Sequence, residues 1–308
     1  MRDTFIRMLL EIARENPRVI LMTGDLGFKV LDEFRAECPR QFYNVGVAEQ
    51  NLTGVAAGLA LSGHVVFTYS IGNFPTLRCL EQVRNDVCYH NADVKIVTVG
   101  GGMAYGSLGF SHFATEDLAI LRALPGMTVV APGDPVEVEK LVPQIFDKPG
   151  PVYLRLGRAG ENRIHDPTTE VILGKPTEAR AGKDVLLLTT GGMLPVALEA
   201  AEMLEEDRID AAVVSVHTLK PLDGETICNL ASRFAAVITC EEHTVLGGLG
   251  GAVAEVLLEA GVVTRFRRFG LPATFPIGVG SQDHMRTVNQ LDADSLRALV
   301  QSVQPVRC

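Results

Sequence analysis

The sequence lacks the features that mark a nucleic-acid or membrane partner. It holds 28 Lys and Arg against 37 Asp and Glu, a net charge of −9, and has no clustered basic stretch of the kind that phosphate contacts need. Its longest apolar runs, such as residues 52–61, fall well short of the roughly 20 residues that cross a bilayer. The first residues also lack the apolar core and cleavage site of a signal peptide. We therefore expect a soluble cytoplasmic protein with no nucleic-acid or membrane partner.

Motifs for metals, disulfides and nucleotides are missing as well. The six cysteines form no C-x-x-C pair, so we expect reduced thiols rather than a metal site or a disulfide framework. There is no G-x-x-x-x-G-K-[ST] segment, and the glycine-rich run at residues 247–251 does not match G-x-G-x-x-G. Turn and packing roles are the favoured interpretation of these glycines.

Short apolar runs instead alternate with helical segments along the chain. A helix is predicted over residues 75–90, between two of these runs. The predicted strands lie at residues 19–23, 65–70, 94–99, 127–131, 152–156, 184–190, 211–216 and 237–239. Strands separated by helices are typical of βαβ units, so the sequence predicts an α/β fold with mainly parallel sheets covered by helices. A lapse in the pattern predicts two domains, residues 1–163 and 183–308, joined by a linker at 164–182.

The most distinctive stretch is residues 44–63, in which Glu49 is the only charged residue. A helix over its Gly, Ala, Val, Leu and Thr residues has no polar face and is expected to be buried on all sides. Glu49 would begin that helix, where desolvation disfavours the charged carboxylate and the helix N-terminus favours it. Such an acid suits proton handling, although a capping or structural role is the ordinary alternative.

Other candidate residues have ordinary structural interpretations when each is taken alone. His112 lies in a loop at the carboxyl end of a predicted strand, where open α/β sheets place ligand sites, but a loop histidine is more often structural. Tyr69 and Phe74 are core aromatics by default. Arg155 and Arg158 are expected to form salt bridges at the surface. The functional interpretation therefore depends on the order in which these residues occur together.

That order is carried by GVAEQN at residues 46–51, Tyr69, Phe74, Ser111-His112 and TLKPLD at residues 218–223. It resembles the second half of transketolases and of 1-deoxyxylulose-5-phosphate synthase, from about Arg2 to about residue 299. The resemblance implies a pyrimidine-binding domain followed by a transketolase C-terminal domain. It also implies thiamine diphosphate as cofactor, and a two-carbon ketol unit passing from a ketose donor to an aldose acceptor.

The resemblance assigns roles around the cofactor. The family's glutamate at the place of Glu49 hydrogen-bonds the aminopyrimidine ring and promotes the imino tautomer that prepares the cofactor for attack on a ketose. Phe74, and with it Tyr69, would pack against that ring. Asp25 matches an acid near the ring, and His112 matches the histidine that hydrogen-bonds oxygens of the donor.

Recognition of the sugar is less completely matched. Arg158 falls where the family places an arginine for the anionic end of the substrate, and Lys29 and Arg2 lie near positions that bind an acceptor phosphate. Leu108, however, replaces the family's Asp, and Gly100 replaces the phosphate-binding His of transketolases. The resemblance therefore leaves open which sugars bind and whether they carry a phosphate.

Half of the cofactor site is missing from the sequence. Thiamine enzymes hold Mg²⁺ and the diphosphate with a Gly-Asp-Gly segment and a later Asn, and no Gly-Asp-Gly occurs here. The resemblance thus implies the C-terminal subunit of a split transketolase. A separate diphosphate-binding chain would hold the Mg²⁺, in an α₂β₂ assembly with Glu49 at the interface between the two chains. The alternatives are a subunit of a synthase-like enzyme or of a 2-oxo-acid dehydrogenase, and a non-catalytic regulatory relative.

Overall fold

The structure, a computed structural model, describes residues 1–303 and contains two sheets flanked by helices. The strands are β1 (Val19–Thr23), β2 (Phe42–Asn44), β3 (Val65–Ile71), β4 (Val94–Val99), β5 (Thr128–Val130), β6 (Val152–Arg155), β7 (Thr177–Arg180), β8 (Val185–Thr189), β9 (Ala211–Ser215), β10 (Thr218–Lys220), β11 (Ala236–Thr244) and β12 (Arg265–Leu271). The α-helices are α1 (Arg2–Glu15), α2 (Asp32–Glu37), α3 (Glu49–Leu61), α4 (Leu80–Gln82), α5 (Asp117–Ala123), α6 (Pro135–Asp147), α7 (Leu194–Glu206), α8 (Gly224–Ala231), α9 (Leu249–Glu259), α10 (Gln282–Val288) and α11 (Ala293–Val303).

The first sheet has the strand order β10-β5-β6-β4-β3-β1-β2. Its neighbours are parallel except β10, which runs antiparallel to β5. The central strands β3 and β4 are apolar and buried along nearly their whole length, because helices cover both faces of the sheet. The loops that follow β6, β4, β3, β1 and β2 therefore leave the sheet side by side along one edge.

The second sheet has the order β12-β11-β8-β9-β7, and β7 is its antiparallel strand. One apolar cluster includes residues from both sheets, such as Ile96 and Leu188. Two further clusters cover the outer faces, under α1 and α6 on the first sheet and under α7 and α11 on the second. The predicted α/β fold with mainly parallel, helix-covered sheets is confirmed.

A strand that the sequence analysis does not predict, β10, ties the two halves of the chain together. It follows β9 along the chain but pairs with β5 of the first sheet, with Thr218 opposite Val130. The first sheet is thus completed by the second half of the chain. The domain limits at residues 163 and 183 remain a prediction.

The helix predicted over residues 75–90 is divided in the structure. A turn comes first, with the Phe74 N–H donating to the Ile71 carbonyl at 2.9 Å. The short α4 then runs into a π-helix over Val83–Cys88. Phe74 and Arg78 consequently lie in a turn at the edge of the sheet.

Helix α3 begins at Glu49 as predicted. Other elements of the chain cover only one of its sides, and the opposite side is exposed. Leu52, Ala56 and Ala60 are buried, whereas Val55 is 38% exposed and Leu61 is 60% exposed. A Cβ added at Gly54 or Gly58 would meet nothing within 4 Å. The expectation of a helix buried on all sides is therefore wrong for this chain by itself, because no other element within residues 1–303 packs on the second apolar face.

The part of the chain that the structure describes has five free cysteines. Within the same residues, no helix combines the length and apolar character needed to cross a membrane, and no group of three His, Cys, Asp or Glu side chains is arranged to hold a metal ion. Cys308, the sixth cysteine, lies outside the described residues.

Candidate active site

Six of the residues predicted from the sequence lie along the carboxyl edge of the first sheet. The residues that follow its strands are Asp25 and Lys29 after β1, Glu49 after β2, Phe74 after β3, His112 after β4 and Arg158 after β6. These five strands are parallel neighbours, so their loops meet at one edge. Open α/β sheets bind ligands at this edge.

Glu49 presents a buried carboxylate at the first position of α3. Its side chain is 3% exposed, and Oε2 accepts a hydrogen bond from Nη1 of Arg78 at 2.7 Å. The other oxygen, Oε1, has no hydrogen-bond partner among residues 1–303. A carboxylate with one unpaired oxygen at a helix N-terminus is able to accept a hydrogen bond from a ligand.

Arg78 is a site residue that the sequence analysis misses. Its guanidinium carbon lies 4.7 Å from the centroid of the Phe74 ring, so this one side chain contacts both Glu49 and Phe74. Its side chain is 48% exposed, and an ion pair open to water on one side stabilises the fold by about 1 kcal/mol at most. The sequence offers one weak signal, a basic residue four positions after Phe74 in a segment that reads as the surface of a helix.

His112 lies edge-on to Phe74, with 5.3 Å between the ring centroids. Its Nδ1 is 3.0 Å from Oγ of Ser111, and Nδ2 of Asn73 donates to the Ser111 carbonyl at 2.6 Å. The loop after β3 thus holds the loop after β4. As a result, the His112 imidazole meets the Phe74 ring, and Arg78 links that ring to the Glu49 carboxylate.

Tyr105, also missed in the sequence, extends this row of side chains. Its ring centroid is 6.5 Å from that of His112, and the guanidinium carbon of Arg158 is 5.3 Å from the same ring. Burial raises the pKa of the Tyr105 phenol, and the positive charges of Arg158 and Arg2 oppose that shift. Arg158 is exposed and forms no ion pair with any residue that the structure describes, so its expected surface salt bridge is not found.

The Tyr105 ring also explains why position 100 is glycine. Gly100 has φ +82°, and a Cβ built on it would collide with the ring of Tyr105. No larger residue fits there while Tyr105 keeps its place. The departure at Gly100 is therefore coupled to Tyr105, which occupies the space of a side chain at position 100.

Three further predicted residues are placed less directly. Asp25 is exposed at φ 57°, and its N–H donates to Oδ1 of Asn44 at 2.9 Å. Lys29 is exposed in the same loop and makes no ion pair with the described part of the chain. Tyr69 is 1% exposed and stacks on Phe5, with 6.5 Å between centroids. The structure therefore brings Asp25 and Lys29 to the rim and leaves Tyr69 in the core.

Arg155 is buried, contrary to the expected surface salt bridge. Its side chain is 3% exposed, and Nε lies 2.9 Å from Oδ2 of the buried Asp117 at the start of α5. Nη2 donates to the carbonyls of Ala114 at 2.6 Å and Glu242 at 3.0 Å. The reason is that β6 lies inside the sheet, where both faces are covered.

Comparisons with known proteins agree with the motif order. The family model "Transketolase, pyrimidine binding domain" matches residues 1–160, and "Transketolase, C-terminal domain" matches residues 174–296. The chain is 40% identical over 273 residues to one of the subunits of an apulose-4-phosphate transketolase from Phocaeicola vulgatus, covering 88% of this chain and 87% of that protein. It is also 40% identical over 287 residues to the SqwH subunit of a 6-deoxy-6-sulfo-D-fructose transketolase from a Clostridium species, covering 93% and 88%.

A solved structure has nearly the same fold. It is described as "Split gene transketolase, inactive beta4 tetramer" and superposes with a TM-score of 0.90 at 38% identity, covering 98% of this chain and 97% of that one.

Proposed function

The chain belongs to the transketolase family, and on that premise we propose that it is the C-terminal subunit of a split transketolase that transfers a two-carbon ketol unit between sugars. One observation carries the proposal. The Glu49 carboxylate, with one unpaired oxygen, lies at the same sheet edge as the Phe74 and His112 rings. An acid, an aromatic face and an imidazole in this order suit a reaction that handles protons beside a bound ring.

The site residues fit the pyrimidine half of thiamine diphosphate. Oε1 of Glu49 is free to accept a hydrogen bond from a protonated ring nitrogen, and the half-buried ring of Phe74 offers a packing face. When bound, the cofactor supplies the nucleophilic carbon that attacks a ketose carbonyl. Glu49 would hold a proton at the ring nitrogen, and its burial would exclude water from that contact. A partner chain would hold Mg²⁺ and the diphosphate.

We infer that the sugar carries an anionic group. Arg158 is exposed and unpaired within residues 1–303, and together with Arg2 it surrounds Tyr105 with positive charge. Two relatives are named for a sugar phosphate and for a sulfo-sugar. A guanidinium binds either type of oxyanion through paired N–H groups. His112, next to Tyr105, would contact hydroxyl or carbonyl oxygens of the same sugar.

The open face of α3 is our proposed contact with the diphosphate-binding partner. Gly54 and Gly58 leave space for another backbone to approach, and the exposed Val55, Leu61 and Val47 provide apolar area beside them. Because Glu49 begins the same helix, a partner chain on this face would cover the carboxylate and the cofactor together. We expect an α₂β₂ assembly.

Reconstitution with the cognate diphosphate-binding chain tests the proposal. The assembled complex, supplied with Mg²⁺ and thiamine diphosphate, is expected to transfer a ketol unit from a phosphorylated or sulfonated ketose to an aldose. The isolated chain is expected to be folded, inactive and weak in binding thiamine diphosphate. Tight Mg²⁺-dependent binding by this chain alone would contradict a split site. Consumption of pyruvate instead of a ketose would favour a synthase-like reaction.

A further inference from the structure

The loop that carries Tyr105 and His112 begins and ends at one pair of backbone hydrogen bonds between Gly102 and Ala114, which we call its neck. The Gly102 N–H donates to the Ala114 carbonyl at 3.0 Å, and the Ala114 N–H donates back to the Gly102 carbonyl at 2.9 Å. Every residue from 103 to 113 lies beyond this pair of hydrogen bonds. The direction of the neck, together with the hydrogen bond from Asn73 to the Ser111 carbonyl, therefore sets where the Tyr105 and His112 rings lie relative to Phe74.

The neck is held from the second sheet by Glu242 of β11. Its carboxylate Oε1 accepts the N–H of Met103 at 2.6 Å, next to one side of the neck. Its backbone carbonyl accepts from Arg155 Nη2, which also donates to the carbonyl of Ala114 on the other side. Glu242 thus reaches one side of the neck directly and the other through Arg155.

The carboxylate of Glu242 is itself firmly oriented. It is 2% exposed, and Oε2 accepts from Nε of Arg286 at 2.8 Å and from Nη2 at 2.6 Å. Nε2 of Gln282 donates to both of its oxygens, at 3.1 and 3.0 Å. Both partners belong to α10, so the second half of the chain orients the carboxylate that meets the Met103 N–H. A charge-assisted, forked contact of this kind leaves little freedom of orientation.

The backbone of the loop is shaped for this carboxylate. Gly102 has φ +65°, and a Cβ added there would lie 2.6 Å from Cγ and Oε1 of Glu242. A residue other than glycine would therefore strain the backbone and displace the carboxylate.

The neighbouring glutamate serves a different element. Successive strand residues point to opposite faces of a sheet, and Glu241 accordingly accepts the N–H groups of Leu249 at 2.7 Å and Gly250 at 2.8 Å at the start of α9. Glu241 holds a helix of the second half, whereas Glu242 reaches out to the loop of the first sheet. The two residues form a matched pair for experiment.

We propose that Glu242 is a positioning residue, through which the second half of the chain sets the place of the Tyr105 and His112 loop. The effect of this positioning role on activity rests on the proposed function. The contact between Glu242 and the loop does not depend on that function. Removal of the acceptor for the Met103 N–H frees one side of the neck. The loop then opens more often, and the rings lose their fixed distance from Phe74.

Hydrogen exchange on the purified full chain tests the contact without any cofactor. Glu242→Ala is expected to raise the exchange rates of the amides of residues 102–114 at least tenfold. Glu242→Gln offers one acceptor oxygen where the carboxylate has two, so an intermediate increase is expected. Glu241→Ala is the control and should raise exchange at the start of α9 without affecting the loop. Unchanged protection of residues 102–114 in Glu242→Gln would overturn the proposal, even if Glu242→Ala fails to fold.

The reconstituted complex supplies the second readout. Misplacement of a reacting group by about 1 Å costs up to a hundredfold in rate, so Glu242→Gln is expected to lower kcat tenfold to a hundredfold. Thiamine diphosphate affinity should stay unchanged, because Glu49 and Phe74 lie on other loops. An equal loss of cofactor affinity would show general damage and contradict a positioning role. If the wild-type complex transfers no ketol unit, the proposed function fails, while the exchange result still decides the role of Glu242.

Discussion

Charged side chains at the edge of the first sheet have few partners, whereas those at the contact between the two sheets have several. At the edge, Glu49 has a single half-exposed partner, and Arg158 has no ion-pair partner within residues 1–303. At the contact, Arg155 donates to three acceptors, and the Glu242 carboxylate accepts from three residues. Buried polar groups are normally satisfied within the fold. The side chains at the edge therefore have atoms left to bind a ligand, whereas those at the contact hold the loops around the site in place.

Among changes at the edge of the first sheet, Glu49→Gln in the assembled complex should lower kcat the most. The amide keeps the size of the side chain but loses the charge that, in the proposed function, holds a proton at the ring nitrogen. Removal of an acid–base group typically costs about 10² to 10⁴ in rate, so we expect kcat to fall by roughly a thousandfold. Steady-state kinetics measures the loss, and size-exclusion chromatography checks that assembly is intact. Full activity of this complex would remove Glu49 from the reaction.

Val55→Glu should weaken assembly, because it places a charge on the exposed apolar face of α3. A buried, unpaired charge at an interface costs several kcal/mol, so the affinity for the partner chain should fall by about a hundredfold or more. Leu258→Glu on α9 is the control, since Leu258 is 83% exposed and lies on a helix of the second half. Calorimetric titration measures the affinity of each variant for the partner chain, and thus compares the α3 face with the α9 face. Equal losses would show that α3 has no special part in assembly.

Arg158→Gln should change the selectivity for donors rather than the chemistry. Loss of a charge-assisted contact is expected to raise KM for phosphorylated or sulfonated ketoses by about tenfold and to leave KM for neutral ketoses nearly unchanged. Arg233, whose guanidinium carbon lies 6.0 Å from the Phe234 ring, offers a matched control in a similar cation–aromatic contact. An equal effect of Arg158→Gln on neutral and anionic donors would argue against an anion site.

Glu137, a buried acid of the interior, should make stability depend on pH. Burial raises its pKa to about 7 from the ordinary 4.5, although the N–H of Gly133 opposes this by donating to Oε2. Between these values the folded chain binds the proton and the unfolded chain does not, so the free energy of unfolding falls as pH rises from about 4.5 to 7. Glu137→Gln should reduce the pH-dependent change in the free energy of unfolding by on the order of 2 to 3 kcal/mol.

Denaturant unfolding at pH 5 and pH 7.5 measures that slope. Glu139, on the same helix, supplies the control. Arg163 and Arg7 hold the pKa of Glu139 below its ordinary value of 4.5, so its contribution is lost only at lower pH, and Glu139→Gln should leave the slope between pH 5 and pH 7.5 unchanged. The expectation for Glu137 would be contradicted if Glu137→Gln left that slope as steep as in the unaltered chain.

The predicted parts of the molecule have local or sequential signals. Apolar runs of strand length and the small-residue stretch after Glu49 indicate the α/β fold, since parallel strands must be apolar on both faces. The motif order then identified Glu49, Phe74 and His112 as a group. Their loops follow β2, β3 and β4, so a parallel sheet brings them to one edge.

The parts that were missed depend on residues far apart in the chain. Arg78 is 29 positions from Glu49, and Glu242 is 139 positions from Met103, so no local spacing connects them. The expected surface position of Arg155 was wrong because its burial depends on which strands lie beside β6. The same applies to the open face of α3, whose composition alone predicts burial.

The sequence therefore determined the class of fold and the family, and it predicted the residues that would meet a cofactor, because these follow from periodicity and the order of motifs. Tertiary structure alone decided that Arg78 pairs with Glu49, that Tyr105 occupies the space beside Gly100, and that Glu242 holds the neck of the His112 loop. Each of these is a contact between distant segments. Such contacts depend on side-chain packing across the fold, which a linear pattern does not specify.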